Sequence, residues 1–374
     1  MNNAELKEIR RRLKPERSNA TVIYGRYVNG EGKTLARIKE PVSELSNEEA
    51  EKYFDTFRKP LSGKLGKTLI PISFSARQEE GGEYQRLIKI WQSRMQDQQT
   101  IERLFDAIVS GIDLDGNFVA LLMMDAYDVP VKDSDGEDES DETFHYMVCA
   151  ICPVKHGKIE LDYMDTENRF HDTVIRQMIG APSLGFMFPS FTDRATDLHS
   201  AMVYSAKTDP NWEVFVRGTF GIGEEMPLTG EEKKAKFDSI LSEALADSCD
   251  FNTVHSMHEE LATQLLIHKE AKEQEPLVIT PNQMSTILSN AGVDKRAVYA
   301  VEEGISDLVQ KDQDGIQADI ITDAAKMVIE ADGVKLTAKP EMIGSIETIT
   351  LHGKPAIAFR VSGTCKINGV EVHF

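Results

Sequence analysis

The stretch FVALLMMDA, Phe118 to Ala126, is a nearly uninterrupted apolar run, and it constrains the fold more than any other segment. Alternate side chains of a strand point to opposite sides of its sheet, so such a run suits a strand covered on both faces. Tyr146 to Val154 is equally apolar and is expected to be its antiparallel partner. Between them lies DSDGEDESDE, Asp133 to Glu142, in which seven of ten residues are acidic. That segment cannot enter a core and reads as a solvated hairpin loop.

The flanking sequence supplies helices and further strands. Ala4 to Leu13 reads as a helix stopped near Pro15, and Thr21 to Val28 with Lys33 to Ile38 as a hairpin around Asn29-Gly30-Glu31-Gly32. Ser46-Asn47-Glu48-Glu49 has the form of a capping box, with Tyr53, Phe54 and Phe57 on one face of a helix from Asn47 to Arg58. Strands are expected at Thr68 to Ser75, Lys158 to Tyr163 and Ser200 to Ser205. Helices are expected at Tyr84 to Met95, Thr100 to Val109 and Asp172 to Ile179. Trp212 to Phe220 carries no clear period.

From Thr229 the pattern becomes helical. Two amphipathic helices account for Glu231 to Lys272, Thr280-Pro281 starts another, and Ala297 to Val309 a fourth. The last 55 residues read as short strands ending in a Cys365 to Phe374 hairpin that turns at Asn368-Gly369. The predicted class is α+β: a central mixed or antiparallel sheet with flanking helices, a helical segment and a small antiparallel C-terminal β module. The expected divisions are 1–228, an α+β domain; 229–275, a helical pair; 276–312, a short helical segment; and 313–374, the β module.

With 62 acidic against 42 basic side chains, the net charge of −20 predicts solubility and disfavours non-specific attraction to phosphate backbones or anionic lipid. The one concentration of positive charge is the N-terminus, where Arg10, Arg11, Arg12 and Lys14 are the candidates for nucleic-acid contact. A helix whose basic face pairs with the acidic remainder is the simpler reading. No apolar run is long enough for a membrane span, and the first 25 residues lack the apolar centre of a secretory signal. A cytoplasmic location is expected. Four cysteines are too sparse for a disulfide framework and are expected to be thiols.

Several motifs fail on spacing. In SGKLGKT, Ser62 to Thr68, the first P-loop glycine position is Leu61, so the backbone amides cannot wrap a phosphate. Cys149 and Cys152 fall in a strand, three apart and on opposite faces, with no second pair for zinc. His255 and His258 lack the zincin order of glutamate and histidine. Asp113 to Asn117 and the Asp133 loop resemble calcium loops in composition only, because glycine falls at the fourth position rather than the sixth. No metal site, cofactor or catalytic residue is assigned.

The remaining feature is GFMFPSFTDRATD, Gly185 to Asp197. Pro189 lacks a backbone donor and fixes its own φ, which argues against a central strand across Phe188 to Phe191 and for a rigid, irregular segment. Phe186, Phe188, Phe191, Asp193, Arg194 and Asp197 are the candidate residues for a ligand or partner. The simpler reading is a buried corner that packs the rings.

Five segments together resemble one family: EIRRRLKPERSNATVIYGRYVN from Glu8, LSGKLGKTL from Leu61, DAYDVP from Asp125, CAICPVK from Cys149, and GFMFPSFTDRATD itself. They are similar to a bacterial family known as domain of unknown function 4317, over nearly the whole chain. The resemblance implies a bacterial cytosolic protein and carries no activity or ligand with it. The family's segment often has asparagine where this chain has Thr68, which weakens the P-loop reading further. The order of a central strand pair and a strand-rich tail is also similar, in pattern only, to bacterial nucleoid-associated proteins.

Function is therefore expected to be that of a non-enzymatic cytosolic binding or assembly protein. Its partner is an unidentified protein or small molecule, and homo-oligomerisation is left open. One alternative is an enzyme acting on a small polar substrate at Asp193, Arg194 and Asp197. The other is nucleic-acid association through the basic N-terminus, with membrane association excluded.

Overall fold

A computed structural model describes residues 1–110, 112, 116–132, 138–156, 161–164, 169–172, 177–206, 210–223, 226–273, 275–311, 315–331, 333–339, 342, 345–361, 365–367 and 370–372. The two aspartate-rich loops that resemble calcium sites fall largely outside them, at 113–115 and 133–137. The chain divides into two compact units, Met1–Glu232 and Lys233–Phe374.

The first unit runs α1 (Asn3–Arg12), β1 (Val22–Val28), β2 (Thr34–Pro41), α2 (Asn47–Arg58), β3 (Leu69–Ser73), α3 (Ala76–Glu79), α4 (Gly82–Gln92) and α5 (Gln98–Val109). It continues through β4 (Phe118–Lys132), β5 (Asp138–His156), β6 (Leu161–Met164), β7 (Arg169–Asp172), β8 (Gln177–Ile179), β9 (Leu184–Phe188), β10 (Ser190–Thr192), β11 (Ala195–Asp197), β12 (Ser200–Ser205) and α6 (Trp212–Phe220). Eight strands form one antiparallel sheet in the order β2-β1-β4-β5-β9-β12-β3, with β8 added against β5.

Strand alternation splits the founding apolar run between two cores. Phe118, Ala120 and Leu122 of β4 face one side together with Met147, Cys149 and Ile151 of β5, under α4, α5 and α6. Val119, Leu121 and Met123 face the other with Tyr146, Val148, Ala150 and Cys152, under α1 and α2. The expected pairing of β4 with β5 is present, from Phe118 opposite Pro153 onward. A both-face apolar run here marks an antiparallel strand between two helical layers, giving the α+β class.

Local chemistry sets the element ends. Ser46 and Glu49 satisfy each other's backbone donors at 3.3 and 3.0 Å, starting α2 at Asn47. The segment without a clear period, Trp212 to Phe220, is helix α6. Trp212, Phe215, Val216, Thr219 and Phe220 are buried, and Gly221 closes it in the left-handed conformation.

Three expectations are corrected. Asp138–Glu142, read as part of the solvated loop, instead begin β5 and pair with β4, Asp138 opposite Lys132 and Glu142 opposite Val129. The helix read at Asp172 to Ile179 is strand at both ends of the described part: β7 ends at Asp172, and Gln177–Ile179 pairs with β5. Residues 173–176 lie outside the described residues. Hydrogen bonds to β5 override the local period, and Met178 and Ile179 stay exposed. The irregular segment expected around Pro189 is instead a central strand as far as Phe188. Proline does interrupt the ladder, but one residue later than the rings require. β9 pairs through Phe188 opposite Met147, the Phe188–Pro189 bond is cis, and β10 begins at Ser190.

The second unit contains α7 (Gly230–Leu245), α8 (Phe251–Glu270), β13 (Val278–Ile279), α9 (Pro281–Asn290), α10 (Lys295–Lys311), β14 (Ile316–Gln317) and α11 (Ala318–Ile321). Three hairpins follow: β15 (Met327–Ala331) with β16 (Val334–Ala338), β17 (Ile346–Leu351) with β18 (Lys354–Phe359), and β19 (Cys365–Ile367) with β20 (Val370–Val372). Thr280 caps α9 with Pro281 at its first position, as the sequence implies. α7 and α10 cross where Gly304 leaves room: a Cβ there would lie 2.7 Å from Ile240 Cγ2. His258 of α8 is half-buried, and burial, aided by Lys234, pushes its imidazole pKa down. Among the described residues no helix is long and apolar enough to cross a membrane.

Candidate functional site

The aromatic part of GFMFPSFTDRATD is covered on every side. Phe186 and Phe188 point into the core under α4, α5 and α6, where Phe186 meets Phe220 edge-on at 5.3 Å. Phe191, on β10, points into the opposite core against Phe144 and Tyr127 at 4.8 and 6.0 Å. All three are 0% exposed, so the surface of this segment is its polar end.

That end is a two-residue hairpin turn, Asp193-Arg194, between β10 and β11. Both residues have positive φ, 52° and 59°, the geometry of a tight turn that normally takes Asn or Gly. The neighbours that hold it come from α1. Arg194 N–H donates to Glu5 Oε1 at 3.2 Å, its Nη1 donates to both Glu8 oxygens at 2.9 and 2.7 Å, and its Nη2 donates to the Pro130 carbonyl at 3.0 Å. Glu8 also accepts from Tyr127, whose hydroxyl pKa burial and this bond push up to about 12. Asp197 accepts from Thr192, Ser200 and the His199 backbone, closing the hairpin internally.

Glu5 does two jobs, since its other oxygen completes the capping box with Asn2 at 2.7 Å. The turn therefore fixes where α1 starts and how it is rotated. Beyond the far end of α1, buried Asp125 accepts from Asn19 N–H at 2.7 Å and from the Tyr146 hydroxyl at 3.0 Å, pinning the following loop. Because Arg194 is 46% exposed, Arg194→Ala is expected to cost about 1 kcal/mol or less in urea unfolding, as for other exposed ion pairs.

The rotation of α1 decides which basic residues are open. Leu6, Ile9 and Leu13 are buried in the core, and Glu5, Glu8 and Arg12 flank the turn side. Arg12 lies over the Tyr127 ring at 5.1 Å and donates to the Arg17 carbonyl at 3.0 Å. Arg10, Arg11 and Lys14 remain on the opposite flank. With Glu51 and Arg58 of α2 and Ser62 of the turn after it, they line a cleft of about 460 Å³.

Arg58 is held in place by Asp55, by Glu51 at 3.7 Å, and by donation to the Leu13 carbonyl at 3.4 Å, which ties α2 to the end of α1. Among the described residues no carboxylate pairs with Arg10, Arg11 or Lys14. Their positions near the C-terminus of α1 suit its macrodipole, a contribution of about 0.3–1 kcal/mol each. Dipole preference explains why cations lie at that end and leaves their convergence with Arg58 unexplained. Arg58, Glu51 and Ser62 had no signal in the sequence, because only tertiary packing brings α2 beside α1.

Two other motifs that fall within the described residues form no site. SGKLGKT is a loop entering strand β3, where a P-loop would enter a helix, and Lys64 N–H donates to Thr68 Oγ1 within the turn at 2.9 Å. Cys149 and Cys152 lie in opposite cores, and burial pushes both thiols up, Cys152 to about 12. Such thiols are inert at neutral pH.

The first unit is an antiparallel sheet between two helical layers, with a basic cleft on the layer that holds α1 and α2. The chain belongs to the family described as Domain of unknown function (DUF4317), which it matches over residues 1–370. No curated protein matches it.

Proposed function

We propose that the chain is a non-enzymatic binding protein whose ligand is an anion held in the cleft between α1 and α2. The observation that carries this reading is the convergence of Arg10, Arg11 and Lys14, without carboxylate partners among the described residues, beside Arg58 in a chain of net charge −20. In an acidic protein, unpaired cations gathered in one concavity are electrostatically costly to each other and favourable to an anion. The Asp193-Arg194 turn then has a positioning role, setting the rotation of α1. The reading assigns the protein to the cytoplasm, supported by its four cysteines standing as free thiols, Cys249 exposed among them.

Titration calorimetry with inorganic pyrophosphate, succinate and a short oligothymidylate tests it. At least one is expected to bind, and Arg11→Ala/Lys14→Ala to weaken it by about tenfold or more, since each lost charged contact is worth about 1–3 kcal/mol. No binding by any of the three, or binding that the double variant leaves unchanged, would overturn the reading.

A further inference from the structure

We infer that the occupant of this cleft is a compact, multiply phosphorylated small molecule rather than a nucleic-acid strand; the inference rests on the anion-binding reading above. The argument is how the cations are grouped and what bounds them. Arg10 and Arg11 lie in the last turn of α1, and Lys14 follows two residues past its end. Two guanidiniums and an ammonium gathered at one helix end suit adjacent phosphoryl groups, with Arg forks suited to paired oxygens and Lys acting as a point charge.

The opposite wall does not continue the track. On α2, Glu48, Glu51 and Asp55 are exposed and follow i, i+3, i+7 spacing, so they share one face, and Glu51 lines the cleft itself. A strand carries a phosphate charge about every 3.4 Å and would run from the cations onto this acidic stripe. A compact polyphosphate keeps all its charge at one end.

Glu51 makes the idea separable from a purely structural role. Its carboxylate lies 3.7 Å from the Arg58 guanidinium and opposes any anion that enters. Removing its charge should therefore strengthen polyphosphate binding, whereas a residue that only orders the helix would weaken it.

The test is calorimetry and competition on the full chain with inorganic phosphate, pyrophosphate, tripolyphosphate and oligothymidylates of increasing length. The expected result is affinity rising about tenfold or more from phosphate to tripolyphosphate, with oligothymidylate weaker at every length. Glu51→Gln should tighten tripolyphosphate severalfold, and Arg10→Ala/Arg11→Ala should abolish binding while circular dichroism and the thermal midpoint hold. Oligothymidylate binding tighter with length, with a steep salt dependence sensitive to Arg10 and Arg11, would overturn the small-molecule inference and leave the anion site standing. Tripolyphosphate binding indifferent to Glu51→Gln and to both arginines would overturn the site as well.

Discussion

Phe186→Ala is expected to lower unfolding free energy by about 3–5 kcal/mol, a large part of the 5–15 kcal/mol typical of a folded domain. The ring is 0% exposed on a central strand, packed against Phe220 and, at 6.3 Å, Phe215. β9 has β5 on one side and β12 on the other, so the backbone cannot move in to fill the space. Urea denaturation would measure it, with Leu35→Ala as a control at a 49% exposed position, where the change should stay within about 0.5 kcal/mol. A Phe186→Ala loss under about 1 kcal/mol would mean that the ring is not packed as described.

The second large effect concerns Arg26, which is 2% exposed on β1 and points toward α5. Glu102 and Asp106, one helical turn apart, close on its guanidinium, and the ring of Phe105 lies 5.5 Å beneath it. Removing both carboxylates strands a buried cation, so Glu102→Ala/Asp106→Ala is expected to cost about 3 kcal/mol or more. Arg26→Met should cost much less, because the carboxylates left behind are 27% and 69% exposed and can be hydrated. The order of the two variants in guanidinium or thermal melts is the decisive measurement. If Arg26→Met were the more damaging, packing of the long side chain rather than charge compensation would hold this face together.

What could be read in advance was whatever the chain encodes within a few residues. Helix α2 follows from Ser46, Glu49 and the spacing of Phe54 and Phe57, and the β4–β5 pair from two apolar runs flanking an acidic segment, whose second half, Asp138–Glu142, extends the pair. The C-terminal hairpins follow from short alternating runs. The order of strands was not legible, because apolar residues on both faces carry no preference for a neighbour. β9 was obscured by Pro189, whose exclusion from the ladder says nothing about the residues just before it. For the cleft, three of its cations could be named from the N-terminal segment. Arg58 and Glu51 could not, since they meet α1 only because Phe54 and Phe57 share a core with Leu6, Ile9 and Leu13.

The doubly covered sheet has a consequence for how its strands find their partners. In a sheet with one wet face, sliding a strand by one residue turns its oily side toward water, and that error corrects itself. Here such a slide would exchange one greasy surface for another, so solvent cannot proofread the alignment. Size must do so instead. Gly185 lies where any Cβ would come within 2.5 Å of the Cys149 carbonyl and 2.9 Å of Pro60, and Gly25 where one would meet Leu121 at 2.9 Å. A one-step slide would drive Leu184 or Phe186 into the place that only glycine fits, so two missing side chains act as the notches that index the sheet.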